Sequence, residues 1–153
     1  MEYTYITSSP EETISLGESI GRILKGGDII AYRGDLGAGK TTITRGISTG
    51  MGLGDEVTSP TFALVNEYRN SDSKLSLIHF DMYRITSPED LETTGFFDYM
   101  EEGSVLAVEW SENISDELPK ESIIITIKRL DDTVRSISIQ AADGDERFEN
   151  IGT

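Results

Sequence analysis

Residues 34–41 read Gly34-Asp35-Leu36-Gly37-Ala38-Gly39-Lys40-Thr41, and no other stretch restricts the folding of this chain as strongly. The pattern G-x-x-x-x-G-K-T requires a strand before it, a helix after it, and a backbone between them whose N–H groups turn inward. Glycine permits that turn, because it tolerates positive φ and lets main chain approach a ligand closely. The flanks agree with the motif. Asp28-Ile29-Ile30-Ala31-Tyr32 is a short apolar strand, and Thr41 to Met51 reads as a helix with Ile43 and Ile47 four apart. A helix N-terminus behind a glycine loop is an anion site. In such a site Lys40 reaches the β- and γ-phosphates of a nucleoside triphosphate, and the Thr41 hydroxyl ligates Mg²⁺.

The rest of the chain alternates strands and helices. Glu2 to Thr7 reads as a strand rich in Tyr, Thr and Ile. Ser9 then caps a helix with Pro10 at its first position and Glu12 closing a capping box. Leu16, Ile20, Ile23 and Leu24 line its apolar face, and Gly26-Gly27 ends it. Phe62 to Tyr68 and Lys74 to Tyr83 read as strands joined by the turn residues 69–73. Ser87-Pro88 repeats the capping pattern and opens a helical region that reaches Gly95 and continues over Phe96 to Glu102. Val105 to Val108 is a continuous apolar run, as expected of a strand covered on both faces. Ile123 to Leu130 and Val134 to Ala141 form a hairpin around Asp131-Asp132. The fold class is therefore α/β, a phosphate-loop mixed sheet flanked by helices, with antiparallel hairpins. Residues 1–142 are expected to form one domain, and the polar stretch 143–153 a frayed tail.

A phosphate loop needs acidic partners for the metal and the attacking water. Two acids end apolar strands: Glu109 after 105–108 and Asp81 after 75–80. Ligands of open α/β sheets sit beyond the C-terminal ends of strands, so both are placed for the task. Glu109 follows the more apolar strand and is the preferred metal-associated acid. Asp81 shares that task or positions water. Thr58-Ser59-Pro60-Thr61-Phe62 lies between the loop helix and the next strand, where such folds carry a segment that senses the γ-phosphate. A proline turn that starts a strand is the equal alternative there. His79, the single histidine, reads as a packing residue, with assistance to Asp81 the minority reading. Trp110, the single tryptophan, packs beside the site, anchors the core, or faces a partner. Arg84 reads as a salt-bridge former, with stabilisation of transition-state charge the minority reading. The N-K-x-D signature of guanine specificity is missing, which favours adenine.

Composition narrows the remaining classes. There are no cysteines, which excludes disulfides, thiol catalysis and thiolate metal sites. No stretch has the length of a membrane span, and the N-terminus lacks the basic and apolar regions of a secretory signal, so the expected location is the cytoplasm. The formal net charge of −15 argues against direct, broad binding of nucleic acid. It reads first as support for solubility, and a role through a basic partner is the minority reading. A small-molecule kinase of this fold would add an arginine-bearing lid and an acceptor pocket. Only Arg69 and Arg84, in short hairpin segments, offer themselves for such a lid.

Taken together, Gly34 to Thr42, Thr58 to Phe62, His79-Phe80-Asp81-Met82-Tyr83-Arg84 and Val108-Glu109-Trp110 closely resemble the TsaE family, formerly YjeE. The resemblance covers roughly residues 8–130. It implies Mg²⁺-dependent ATP hydrolysis in threonylcarbamoyladenosine modification of tRNA, at the adenosine next to the anticodon. It also implies docking on the partner proteins TsaB and TsaD, with tRNA met only through that complex, and an ATP cycle that supports repeated turnover. Carried over by position, Gly37, Ala38, Gly39, Lys40, Thr41 and Thr42 hold the phosphates. Thr41 and Glu109 take the metal positions, and Asp81 the acid near the γ-phosphate. Lys40, Asp81 and Glu109 are the expected catalytic group. The adenine pocket would use the start of the first helix, around Pro10, and the late hairpin. Met82 stands where leucine is usual, a conservative exchange.

Overall fold

The computed structural model describes residues 1–34, 39–54, 65–69, 75–82 and 85–151. In chain order these form β1 (Glu2–Thr7), α1 (Pro10–Ile23), β2 (Ile29–Gly34), α2 (Lys40–Gly50), β3 (Val65–Tyr68) and β4 (Leu77–Asp81). There follow α3 (Pro88–Glu92), α4 (Phe96–Glu102), β5 (Val105–Glu109), a 3-10 segment (Ser111–Glu117), β6 (Ile123–Arg129) and β7 (Arg135–Gln140). The strands make one seven-stranded sheet in the order β1-β7-β6-β2-β5-β4-β3. β6, β2, β5 and β4 run parallel, while β3 pairs antiparallel with β4 and β7 antiparallel with both β6 and β1. The α/β class and the mixed sheet are those expected from the sequence.

The parallel centre and its flank differ in pattern because they differ in cover. Ile29 to Tyr32, Leu77 to Phe80 and Val105 to Val108 are buried at every position, since helices lie on both faces. β6 alternates, with Ile123, Ile125 and Ile127 buried and the residues between them not, as a strand with one open face does. On one face, α1 and α2 pack over Ile30, Tyr32, Val105, Ala107, Ile125 and Ile139. On the other, α3, α4 and the 3-10 segment cover Ile29, Ile78, Phe80, Leu106 and Val108. There the Phe80 and Phe96 rings meet edge to face at 5.4 Å. The helical region after Ser87 is broken rather than continuous. α3 ends at Glu92, and Gly95, left-handed at φ 80°, caps the start of α4.

Two features fix α2. The N-cap of α1 forms as expected: Ser9 Oγ accepts from the Glu12 amide at 3.1 Å, and Pro10 follows. Gly17 and Gly21 of α1 then face Gly46 and Gly50 of α2. A methyl group on Gly17 would lie 2.5 Å from the Ile43 carbonyl oxygen, and one on each of the other three would meet Ile47, Ile14 and Glu18 carbonyls as closely. The two backbones are thus in direct contact, and the height of α2 over the sheet leaves no room for a side chain between them.

The C-terminal stretch is not the frayed tail that its polarity suggests. Phe148 is fully buried in the core beneath α1, and Ile151 packs against that core. The Tyr5 hydroxyl donates to the Phe148 carbonyl. Arg147 bonds Asp28 and Asp145 and donates to the Ile23 carbonyl. One aromatic and one arginine inside a polar run dock the segment, and an average over the run hides both. No helix among the described residues is long and apolar enough to cross a membrane.

Candidate functional site

The parallel strands end together. Ala31 of β2 is in register with Val108 of β5, and Asp81 of β4 with Glu109 of β5. Asp81 and Glu109 therefore emerge side by side at the edge where the chain leaves β2 for α2. The Met82 amide donates to the Glu109 carbonyl at 3.0 Å, locking the two strand ends at one level. Gly34 leaves β2 at φ 122°, and Gly39 caps α2 at φ 117°. No side chain caps α2, and its first turn holds no acid. The positive end of its dipole thus faces the strand-end acids without a protein anion in its own first turn. Gly37 and Ala38 lie outside the described residues, as do Thr58 to Phe62 and Arg84.

A buried hydroxyl chain supports the first turn of α2. Tyr32, fully buried, places its hydroxyl 2.6 Å from Thr44 Oγ1, and Thr44 Oγ1 donates to the Lys40 carbonyl at 2.7 Å. Because the single Thr44 proton goes to Lys40, Tyr32 is the donor to Thr44. Burial, with repulsion from the Glu109 carboxylate, pushes the Tyr32 phenol above its ordinary range, so it stays a neutral donor. Ser111, also fully buried, donates to the Tyr32 carbonyl at 3.0 Å. β2, α2 and the segment after β5 are thereby joined directly under the site. None of Tyr32, Thr44 and Ser111 belongs to the sequence motif. A tyrosine ending an apolar strand five residues before a G-x-G-K turn is the available signal.

Above this layer, Lys40 Nζ lies over the Trp110 ring, 5.8 Å from its centroid, a cation–π contact. Trp110 takes φ 58°, a left-handed conformation that costs a non-glycine residue about 1–3 kcal/mol. The tryptophan is thus turned onto the lysine instead of continuing the strand. It also packs against the core cluster that contains Phe80 and Ile114, so the readings of a residue beside the site and of a core anchor meet in one side chain. His79 is fully buried, as a packing residue would be, but its polar edge faces Glu109 and not Asp81. His79 Nε2 is 2.8 Å from Glu109 Oε2, whose side chain is 15% exposed. The oxygen lies off the N–H direction, and neither ring nitrogen has an aligned hydrogen bond among the described residues.

Among the described residues no three His, Cys, Asp or Glu side chains converge into a self-sufficient metal cage. Mg²⁺ keeps several waters and takes one or two carboxylates plus phosphate oxygens. Glu109 and Asp81 as strand-end carboxylates, with a hydroxyl at Thr41, fit such an ion.

Pro10 also comes to this edge. A cavity between α1, α2 and the β6–β7 turn is lined by Pro10, Thr13, Gly39, Thr42, Asp132 and Arg135. It joins the first helix and the late hairpin directly to the start of α2. The hairpin tip is stiffened where it lines the cavity: Arg129 pairs with Asp132 at 2.7 Å, and Arg135 donates to the Asp131 carbonyl at 2.8 Å. Thr13, Asp132 and Arg135 have no motif to announce them. Arg69, a lid candidate by sequence, sits elsewhere. It follows Tyr68, which pairs with Leu77 at the start of β4, the opposite end from Asp81. Its guanidinium is bound there to Glu102 at 2.7 Å and Glu67 at 3.2 Å.

The family model for "Threonylcarbamoyl adenosine biosynthesis protein TsaE" matches residues 7–137. This chain belongs to the TsaE family. The TsaE protein of Bacillus subtilis is 40% identical over 145 residues, covering 95% of this chain and 88% of that protein. The Haemophilus influenzae TsaE protein is 44% identical over 113 residues, covering 74% and 70%. Both carry the name tRNA threonylcarbamoyladenosine biosynthesis protein. A crystal structure of Bacillus subtilis YdiB superposes with a TM-score of 0.76 at 34% identity, covering 99% of this chain and 91% of that one. The TsaE match begins at the end of β1 and stops within β7, so it takes in every strand end and helix start that builds the edge.

Proposed function

We propose that this TsaE-family chain is a Mg²⁺-dependent ATPase acting in threonylcarbamoyladenosine modification of tRNA, beside TsaB and TsaD. The observation that carries the reading is the shared edge. The start of α2 with Lys40, the in-register pair Asp81–Glu109 and the cavity at Pro10 all open there. The names of the relatives supply the pathway.

The chemistry follows from the residues. The α2 N-terminus and Lys40 bind and orient the β- and γ-phosphates. Thr41 and Glu109 hold Mg²⁺, directly or through water, and that ion supplies neutralisation of the charge on the transferred phosphoryl group. Asp81, one strand over from Glu109, orients the attacking water. The cavity at Pro10 receives the base. TsaB and TsaD then use the nucleotide state as a signal for a further round, and the acidic surface steers the encounter. Raising salt should weaken that docking, and binding that ignores salt would remove the steering argument.

The test follows the γ-phosphate of labelled ATP with Mg²⁺, with and without the TsaB–TsaD pair. Free phosphate, increased by the pair and lost in Thr41→Ala and Glu109→Ala variants that stay folded, is the expected result. Label moving onto a small molecule would make the protein a kinase. Association that depends on ATP without any turnover would make it a nucleotide-gated binding module.

A further inference from the structure

A histidine inside an apolar strand needs a reason. His79 stands between Ile78 and Phe80, all three fully buried. Its imidazole has given up water, which is unfavourable unless another polar group replaces it. Among the described residues neither ring nitrogen has found an aligned partner. The Glu109 carboxylate is in reach. His79 pairs across the strands with Ala107, two residues before Glu109. Residues two apart on a strand share a face, so His79, Ala107 and Glu109 line the same side of the sheet. Ala107 offers only a methyl group, which leaves the diagonal from His79 to Glu109 clear, a path that long side chains span. The contact that results is Nε2 to Oε2 at 2.8 Å. Leucine or phenylalanine would fill the same volume without the desolvation, so packing alone does not account for an imidazole here.

We propose that His79 is a positioning residue for Glu109, holding its carboxylate from below through Nε2 in the orientation that binds the divalent cation. The proposal deepens the reading of Glu109 as the metal-associated acid and rests on it. In this structure the oxygen sits off the N–H axis. Hydrogen bonds of such sites commonly align only in the complex, and a small rotation of the carboxylate suffices at this separation. A carboxylate ligand that loses the group orienting it typically loses about 10–100-fold in metal affinity.

The experiment titrates Mn²⁺, detected by electron paramagnetic resonance, into the protein holding a non-hydrolysable ATP analogue. Five variants are compared: His79→Leu, His79→Gln, His79→Asn, Glu109→Gln and the double variant His79→Leu with Glu109→Gln. Nucleotide affinity in EDTA and thermal melts are recorded alongside. His79→Leu should weaken Mn²⁺ binding by about tenfold or more, with the EDTA affinity unchanged. His79→Gln, whose longer amide reaches Glu109, should retain most of the binding, and the shorter His79→Asn should not. In a Glu109→Gln background, His79→Leu should add nothing. Unchanged Mn²⁺ binding in His79→Leu would overturn the proposal. So would equal loss in the Gln and Asn variants, which would mark a packing role. If the Leu variant does not fold, the Gln–Asn contrast decides in the same way. If Glu109→Gln itself leaves Mn²⁺ binding intact, it is the assignment of Glu109 that fails, and the two failures are thereby told apart.

Discussion

The central strand β2 begins and ends in opposite chemistry. At its start, Asp28 takes both terminal nitrogens of Arg147, at 2.9 and 3.3 Å, and Asp145 takes Nε and Nη2. The guanidinium also reaches the Ile23 carbonyl and lies over the Phe148 ring. Every nitrogen of that arginine is bonded, in planar, two-pronged geometry. At the other end of the sheet the pairing is less regular. His79 lacks an aligned bond, Trp110 is held in a left-handed conformation, and the start of α2 has no side-chain cap. The saturated end ties the C-terminal segment to the core. The other end carries the start of α2 and the two strand-end acids.

The comparison predicts that the two ends separate stability from activity. The largest effect should come from Lys40→Ala. Losing one aimed cation at the phosphates should lower ATP turnover by about 100-fold or more, while the thermal midpoint stays where it was. Phosphate release and a thermal melt on the same sample check this. Turnover near wild type in the folded variant would remove Lys40 from the chemistry.

Arg147→Ala should do the reverse. It leaves Asp28 and Asp145 as partly buried acids without their cation, and unfolding free energy should fall by about 2 kcal/mol. Turnover per folded molecule should not change. Urea unfolding measures the first quantity and phosphate release in native buffer the second. If activity fell with stability intact, the saturated end would be coupled to the site and the contrast would fail.

Much of the site edge is legible in the sequence because its parts are local. A glycine loop announces its own strand and helix. Asp81 and Glu109 follow apolar runs whose ends must lie at one edge of a parallel sheet. Ser9 and Pro10 mark a helix start that needs nothing beyond four residues. What is hidden depends on contacts between distant segments. Tyr32, Thr44 and Ser111 form one chain of hydrogen bonds only after β2, α2 and β5 are assembled. His79 meets Glu109 only through a register across two strands. Arg147 and Phe148 sit in a run whose composition reads as solvated, and only their long-range partners show that it docks. The break at Gly95 is local, yet it competes with an apolar pattern that would equally continue a helix.

A smaller effect tests the layer between the two ends. Tyr32→Phe keeps the ring and removes the donor to Thr44. Thr44 retains its own bond to the Lys40 carbonyl, so only one acceptor site is left empty. The expected loss is about 1 kcal/mol in urea unfolding, with a modest fall in turnover as the first turn of α2 loosens. A loss as large as that of Arg147→Ala would mean that the hydroxyl chain, and not the salt bridge, is the principal clamp on β2.

The smallest effect is a pH dependence confined to the saturated end. The hydrogen bond from Arg147 holds the Asp145 carboxyl below its ordinary range in the folded protein. At pH above the unfolded value, about 3.9 for aspartate, both states are ionised and the contribution is fully present. As pH falls through that value the unfolded chain takes up the proton first, and the contribution is lost progressively down to the folded value. Arg147→Ala has no such contribution to lose. The stability gap between wild type and Arg147→Ala should therefore be full near pH 6 and narrow at pH values below about 4. Urea unfolding at three or four pH values across that window reads it directly. A gap that stays constant would mean that Arg147 stabilises through its packing on Phe148 and its bond to Ile23, with little from the carboxylates.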